Sequence, residues 1–319
     1  MSGSAASSAY LGWLGAALAA RVDDAGSGSE GGSIDAVLGY ATGYDAHDIA
    51  PFVRSLRAVF DGEIALVVDD RNDIRALFDL HRVRLLTPAK IDGWEPHAVM
   101  ARFAAFDRHL SGRTDIRSVL ITDVRDVLFQ KSPFAPQPTG LEAFVEGDRL
   151  GDHAFNMKYL RALIGEAMAE ALATAPSVCV GTVMGPRAEI IRFCRLVLML
   201  AAIPRSEFGG AFGADQAACN IAIHMGLLKA EVNDNYGRVA TIGLTPGETL
   251  GLKDGQVVNP DGTISAIVHQ HDRHPQLAEA MHQRWGEGLE VRERVRPKSA
   301  AERRRKMRDS FMRRLPELR

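Results

Sequence analysis

Short apolar runs, each cut off by a polar or small-residue break, alternate with stretches of helical periodicity along most of this chain. Asp35–Gly39, Glu63–Val68 and Val83–Leu86 read as strands. Ala50–Phe60, with Pro51 near its start, Asn72–His81 and Ala98–Leu110 carry the spacing of helices. Val119-Leu120-Ile121 has the continuous apolar character of a strand buried on both faces. Alternation of this kind predicts an α/β architecture, a doubly wound parallel sheet flanked by helices. After Pro138 the texture changes. A strand is expected at Ala143–Val145, one long helix at Asn156–Ala173, and a strand at Ser177–Met184 interrupted by Gly181-Thr182. Glu189–Ala202 reads as a strongly apolar helix, and Ala214–Asn220 opens another after the glycine-rich loop Phe208–Gly213. A last hairpin is expected around Pro260-Asp261-Gly262, with Ile264–Val268 as its second arm, and from Gln276 the chain turns helical.

The central apolar run ends abruptly at Thr122-Asp123, and a charged cluster of Asp123, Arg125 and Asp126 follows. A buried strand thus delivers two carboxylates to its carboxyl end, where open α/β sheets bind ligands. Two readings stand for the cluster. It is a salt-bridged turn with Arg125 pairing one acid, or the two acids hold a divalent cation that relieves their repulsion. Ala41-Thr42-Gly43-Tyr44 forms a small-residue turn after the first strand, as at the opening of a nucleotide-binding unit. Tyr44 there either stacks on a base or packs as an ordinary tyrosine. Asp69-Asp70 ends the second strand and either touches a ribose or caps the next helix, capping being the expectation. Asp215 stands near a helix start, where capping is its ordinary role and contact with a ligand the sharper one. His269-Gln270-His271-Asp272-Arg273-His274 closes the last strand run with imidazoles able to ligate a metal and a guanidinium able to hold an anion.

Composition narrows the setting. The chain has 319 residues, 46% of them hydrophobic, enough for a sizeable core. Three scattered cysteines, Cys179, Cys194 and Cys219, have no metal-ligand spacing and point to a reducing, cytoplasmic setting without zinc. The net charge of −2 hides an uneven split: Val291–Arg319 holds 12 Lys/Arg against 4 Asp/Glu. That tail is either a solvated basic helix or attracted to an anionic surface such as the inner face of a membrane. Nucleic acid is not the expected partner, because the rest of the chain is acidic and has no stacking motif. Tyr10–Ala20 is apolar but too short to span a bilayer. The expected organisation is a flexible N-terminal segment over residues 1–33, one catalytic domain over 34–275 and a basic helical tail over 276–319.

Taken together, the pieces resemble the GT-A glycosyltransferases, in particular the glycogenin-like family 8 enzymes. The apolar strand feeding Asp123-Val124-Arg125-Asp126 is similar to their DxD region. Gly181-Thr182 followed by a hydrophobic helix resembles their acceptor-side strand. Asp215-Gln216 through Asn220 looks like their DQ…N element, and His269 resembles their C-terminal metal-binding histidine, with Arg273 near their phosphate-binding lysine. The resemblance covers Ile34–Pro275. It departs from the family where Arg125 replaces the second acid of DxD.

The resemblance implies a GT-A, Rossmann-like, mainly parallel mixed sheet and a metal-dependent, retaining transfer of a sugar from a UDP-sugar to a carbohydrate or glycolipid hydroxyl. It implies Mn²⁺, or Mg²⁺, held by Asp123, Asp126 and His269. The donor would lie against Ala41, Thr42, Gly43, Tyr44, Asp123 and Arg273, with Asp215, Gln216 and Arg125 at the reacting centre. Two alternatives are carried beside it. One is a catalytically inactive GT-A-like domain that binds a partner or anionic surface, suggested by Arg125 within the acid motif. The other is a sugar-1-phosphate nucleotidyltransferase, ranked lower because Ala41–Tyr44 lacks the Arg/Lys-bearing glycine loop it needs.

Overall fold

A computed structural model of the chain describes residues 32–88, 97–201, 212–286 and 288. Tyr10–Ala20, most of the Gly26–Gly32 joint, residues 208–211 of the glycine-rich loop and the basic tail lie outside the described residues.

The first half follows the apolar pattern closely. Strand β1 (Ile34–Ala41) leads to helix α1 (Ala46–Arg57), β2 (Glu63–Val68), α2 (Asn72–His81), β3 (Val83–Leu86), α3 (Ala98–Ser111) and β4 (Ile116–Thr122). Then come β5 (Val127–Phe129), β6 (Leu141–Arg149), α4 (Ala154–Ile164), α5 (Glu166–Leu172), β7 (Pro176–Pro186) and α6 (Arg187–Ala201). Helix α7 (Ala214–His224) precedes β8 (Ala230–Asn233), β9 (Val239–Thr241), β10 (Gly251–Lys253), β11 (Gln256–Val258), β12 (Ile267–His269) and α8 (Pro275–Trp285).

Seven strands form the main sheet in the order β3-β2-β1-β4-β7-β6-β8. All neighbours run parallel except β7, which is antiparallel to both β4 and β6. The fold is therefore α/β with a mainly parallel central sheet, consistent with a Rossmann-like architecture. Ala36, Leu38, Val67, Val119 and Ile121 share one core cluster with residues of α3, α6 and α7. Their strand neighbours Val37, Leu66 and Leu120 are also fully buried, so the central strands are covered on both faces. That double burial is why these strands read as unbroken apolar runs.

Several expectations are corrected. The first helix begins four residues early, at Ala46, because Asp45 and Asp48 make a reciprocal capping box there. Pro51 lies inside that helix instead of near its start. Asp69 and Asp70 do not cap α2, whose N-cap is Arg71. Asp69 Oδ2 instead accepts the Gly43 N–H at 2.7 Å, and Asp70 pairs with Arg75. The long helix expected over 156–173 is two helices, broken at Gly165, whose φ of 80° no helix accommodates. The last hairpin turns at Asp254-Gly255, between β10 and β11. Pro260-Asp261-Gly262 does form a turn, with Gly262 N donating to Asn259 O, but β12 beyond it joins a different sheet.

That second sheet, β5-β12-β9, decides where the site lies. Ile267, Val268 and His269 pair antiparallel with Phe129, Leu128 and Val127. A strand from the far end of the described chain is thereby zipped onto the segment that follows Asp126.

One ion-pair cluster ties β2 to α3. Glu63 accepts from His109 Nε2 at 2.8 Å and from Arg113 Nη2 at 2.9 Å. Burial would push the Glu63 carboxyl up, but His109 and Arg113 outweigh it and hold it at about 2, below its ordinary 4.5. A carboxylate with a depressed folded pKa contributes stability that is present above 4.5 and lost as the pH falls towards about 2. Glu63→Gln is expected to lower stability at pH 7 by roughly 1–2 kcal/mol. The gap from wild type should narrow by more than half at pH 3. Urea titrations at the two pH values check this, and an equal gap at both would rule the linkage out.

Candidate functional site

Asp123 lies just past the carboxyl end of β4, at the point where the strand order reverses direction beside β1. Its backbone N–H donates to Gly181 O at 2.8 Å, which seats the loop against β7. Strand β7 is irregular here: Phe144 pairs with Cys179 while Ala143 pairs with Val183, so Val180–Thr182 bulges out of the β6 ladder. Side chains of α7 take up the strand groups near the bulge. Gln216 Oε1 accepts from Val180 N at 3.0 Å, and Asn220 bonds both N and O of Val178 at 2.9 Å. Gln216 and Asn220 therefore face β7, where a bulged strand needs their polar atoms, while Asp215 turns to Arg102.

The β5–β12 ladder brings His269 opposite Val127, and Gln270 N donates to Asp126 O at 2.8 Å. His269 Nε2 then stands 3.5 Å from Asp123 Oδ2 and 3.8 Å from Asp126 Oδ2. One ligand atom from each of the three residues lies within 4.8 Å of the others, the one such metal-competent cluster among the described residues. Ligands about 2.1 Å from one ion sit roughly 3 Å apart when adjacent, so a small contraction would close this set on a cation.

Two further observations favour a cation there. His269 is 1% exposed, yet its Nε2 has no hydrogen-bond partner. Gly181 also keeps the space clear, since a Cβ on it would lie 2.5 Å from His269 Cε1 and 2.7 Å from Asp123 Oδ2. Two carboxylate oxygens and an imidazole can together hold a divalent cation.

Charges around the cluster are finely opposed. Burial would raise the Asp123 carboxyl, but Arg102 and His269 hold it at about 2. Burial and the Asp123 charge together push the Asp126 carboxyl up, against His269. Burial would lower His269, but the two carboxylates beside it raise it. Cys179 Sγ lies 3.4 Å from His269 Nδ1. That contact holds the ring with Nε2 towards the two carboxylates.

Beneath the cluster Arg102 of α3 is buried between two acids. It is ion-paired with Asp123 and, at 2.9 Å, with Asp215. A helical pattern offers no signal for Arg102, since an arginine every few residues is ordinary on a helix.

The cluster opens into a cavity of about 700 Å³. Tyr40, Thr42 and Tyr44 line one wall, with Arg125, Asp272 and Arg273, and Phe155, Phe212 and His97 line another. Of the sequence candidates, Thr42, Tyr44, Asp123, Arg125, Asp126, Asp215, Gln216, His269 and Arg273 all border this space. Ala41 and Gly43 do not. Ala41 is 1% exposed within β1, and Gly43, at φ 84°, gives its N–H to Asp69. Arg125 pairs with Asp272, and its guanidinium carbon sits 6.0 Å over the Tyr44 ring. Its ion pair is thus with Asp272 and not with the three ligand residues.

Glu146 also lines the cavity and had only a polar segment to mark it in the sequence. Strand β6 runs on to Arg149, past the expected Val145, and that extension puts Glu146 beside Gln216.

No protein-family model matches the chain, and no curated protein matches it. The three cysteines are free and buried. Among the described residues no helix is long and apolar enough to cross a membrane.

Proposed function

We propose that the chain is a metal-dependent glycosyltransferase of GT-A type, moving a sugar from a nucleoside-diphosphate donor to an acceptor hydroxyl. One observation carries this reading. Asp123, Asp126 and His269, up to 146 residues apart in sequence, converge on a single cation-sized space. That space lies on the floor of a cavity at the carboxyl ends of β1 and β4. The resemblance of Asp123–Asp126, Asp215–Asn220 and His269 to the family 8 motifs supports it further.

Asp123, Asp126 and His269 would hold Mn²⁺ or Mg²⁺, which offsets the charge on a departing diphosphate. Thr42 and Tyr44, which line the cavity, would hold the nucleoside, and UDP is the nucleotide the resemblance favours. Arg273, whose side chain is 62% exposed at the cavity, pairs with Asp272 at 3.6 Å, an acid it shares with Arg125, and would meet a phosphate with its exposed guanidinium. Arg125 is the reason to consider an inactive relative. Its pairing with Asp272 weakens that case, because the cation would not have to share its space with a guanidinium.

Calorimetry with UDP, with and without Mn²⁺, tests the reading together with a screen of UDP-sugars for Mn²⁺-dependent hydrolysis. Binding that requires Mn²⁺ and hydrolysis of at least one donor are expected. Absence of both would overturn the reading for a UDP donor and favour the inactive alternative over the nucleotidyltransferase.

A further inference from the structure

Phenylalanine is usually buried, yet Phe155 and Phe212 are 47% and 58% exposed where they border the cavity. Neither ring is loose on the surface. Phe212 meets the His97 ring edge-on at 5.4 Å, and Phe155 lies 6.0 Å from Phe212 and 5.1 Å from Tyr159. His97 is fixed in turn as the N-cap of α3, its Nδ1 accepting the Val99 N–H at 3.3 Å. Gly213 makes this closeness possible, since a Cβ there would lie 2.6 Å from Phe155 Cζ and 2.7 Å from Tyr159 Cε2. The starts of α3, α4 and α7 thus hold one apolar wall in place.

That wall reaches the cation space through α7. Phe212 and Gly213 run straight into Asp215, whose Oδ2 is 2.9 Å from Arg102, the arginine that also pairs with Asp123. Polar groups stand at the foot of the wall. Gln216 Nε2 donates to Glu146 Oε1 at 3.0 Å. Ser177 Oγ lies 3.4 Å from Glu146 Oε2 and 3.4 Å from Asn156 Nδ2, and Asn156 is the neighbour of Phe155. Gln216 also accepts the Val180 N–H at 3.0 Å, next to Gly181 and the metal-competent cluster. Charge is divided between the walls. Arg125 and Arg273 stand on the side of Tyr44, whereas the phenylalanine side carries the Glu146 carboxylate.

These features select among ligands. A saccharide ring has a face of C–H groups, which the electron-rich face of an aromatic ring attracts, and hydroxyls at its edge that need hydrogen-bond partners. A hydrocarbon chain would cover the phenylalanines but strip water from Glu146 and Asn156 and give nothing back. A phosphate or carboxylate on the ligand would be repelled by Glu146.

We infer that the wall of Phe155 and Phe212 is the acceptor site, and that the acceptor is a neutral saccharide. Its C–H face lies on the two phenylalanines and its hydroxyls on Glu146 and Asn156. This rests on the glycosyltransferase reading and deepens it.

The test uses the full chain with Mn²⁺ and the UDP-sugar that the wild type hydrolyses best. Methyl glycosides of glucose, galactose, mannose and N-acetylglucosamine are offered as acceptors, against glucose phosphate, glucuronic acid and octanol. Transfer to at least one methyl glycoside should exceed hydrolysis, and the acidic and aliphatic acceptors should be used at least about tenfold less well. Phe212→Ala and Phe155→Ala should each raise KM for that glycoside by about tenfold or more and lower the ratio of transfer to hydrolysis. UDP affinity in Mn²⁺ reports whether each variant is folded. Phe212→Trp, which keeps an aromatic face, should hold KM within about threefold of wild type. Leu80→Ala, which removes an apolar side chain 73% exposed on α2, should change neither quantity.

An unchanged KM and transfer ratio in both alanine variants, transfer confined to an acidic or aliphatic acceptor, or hydrolysis with no transfer to any methyl glycoside would each overturn the acceptor assignment while leaving the donor site standing. A wild type that neither binds UDP with Mn²⁺ nor hydrolyses any donor overturns the underlying reading and this inference together.

Discussion

Asp123→Ala should cut Mn²⁺-dependent hydrolysis of a UDP-sugar by at least about a thousandfold. A metal that stabilises departing charge contributes several kcal/mol to the transition state, and each 1.4 kcal/mol is tenfold in rate. Asp123 stands 3.5 Å from His269 Nε2 and is held at about 2, so it remains a carboxylate ligand throughout the neutral range. UDP binding should lose its dependence on Mn²⁺ in the same variant, which calorimetry reads directly. A variant that keeps a tenth or more of wild-type turnover would remove Asp123 from the metal set.

The second large effect falls on stability. Arg102→Met should cost about 3–5 kcal/mol, because it leaves a buried carboxylate without its cation. Asp215 is 4% exposed, and Arg102 is the cation it pairs with. Burial pushes the Asp215 carboxyl up and Arg102 draws it back, so losing Arg102 should drive Asp215 towards its neutral form. Removing the charge as well, in Arg102→Met with Asp215→Asn, should recover part of the loss. Urea unfolding of both variants gives the comparison. A single variant within about 1 kcal/mol of wild type would mean that the pair is not a structural keystone.

Both predictions concern one buried arginine and its acids, which shows how the site is layered. The residues offered to a ligand, Asp123, Asp126 and His269, rest on a second set that keeps them in place. Arg102 braces Asp123 from below, Gly181 O anchors its backbone, and Cys179 supports the back of the His269 ring. A change in this second set is expected to disturb both folding and chemistry.

The hydrophobic pattern of the chain by itself determined β2, α2 and β3 to the residue, and α3 and the core of β4 nearly so. Buried parallel strands and amphipathic helices carry their period locally, so neighbours in sequence suffice to reveal them. The acids after β4 and the histidine ending β12 were also legible, because a polar break at the end of an apolar run is a local signal. The tertiary structure alone decided that these two ends meet. Pairing of β12 with β5 joins residues about 140 apart, and no local pattern says which strand accepts which. For the same reason the apolar pattern could not tell that the last hairpin turns at Asp254-Gly255, that β7 bulges, or that Arg102 and Glu146 belong to the cavity. Each of those features depends on what lies across from a residue in space, and that is set by strand partners and helix packing chosen elsewhere in the chain.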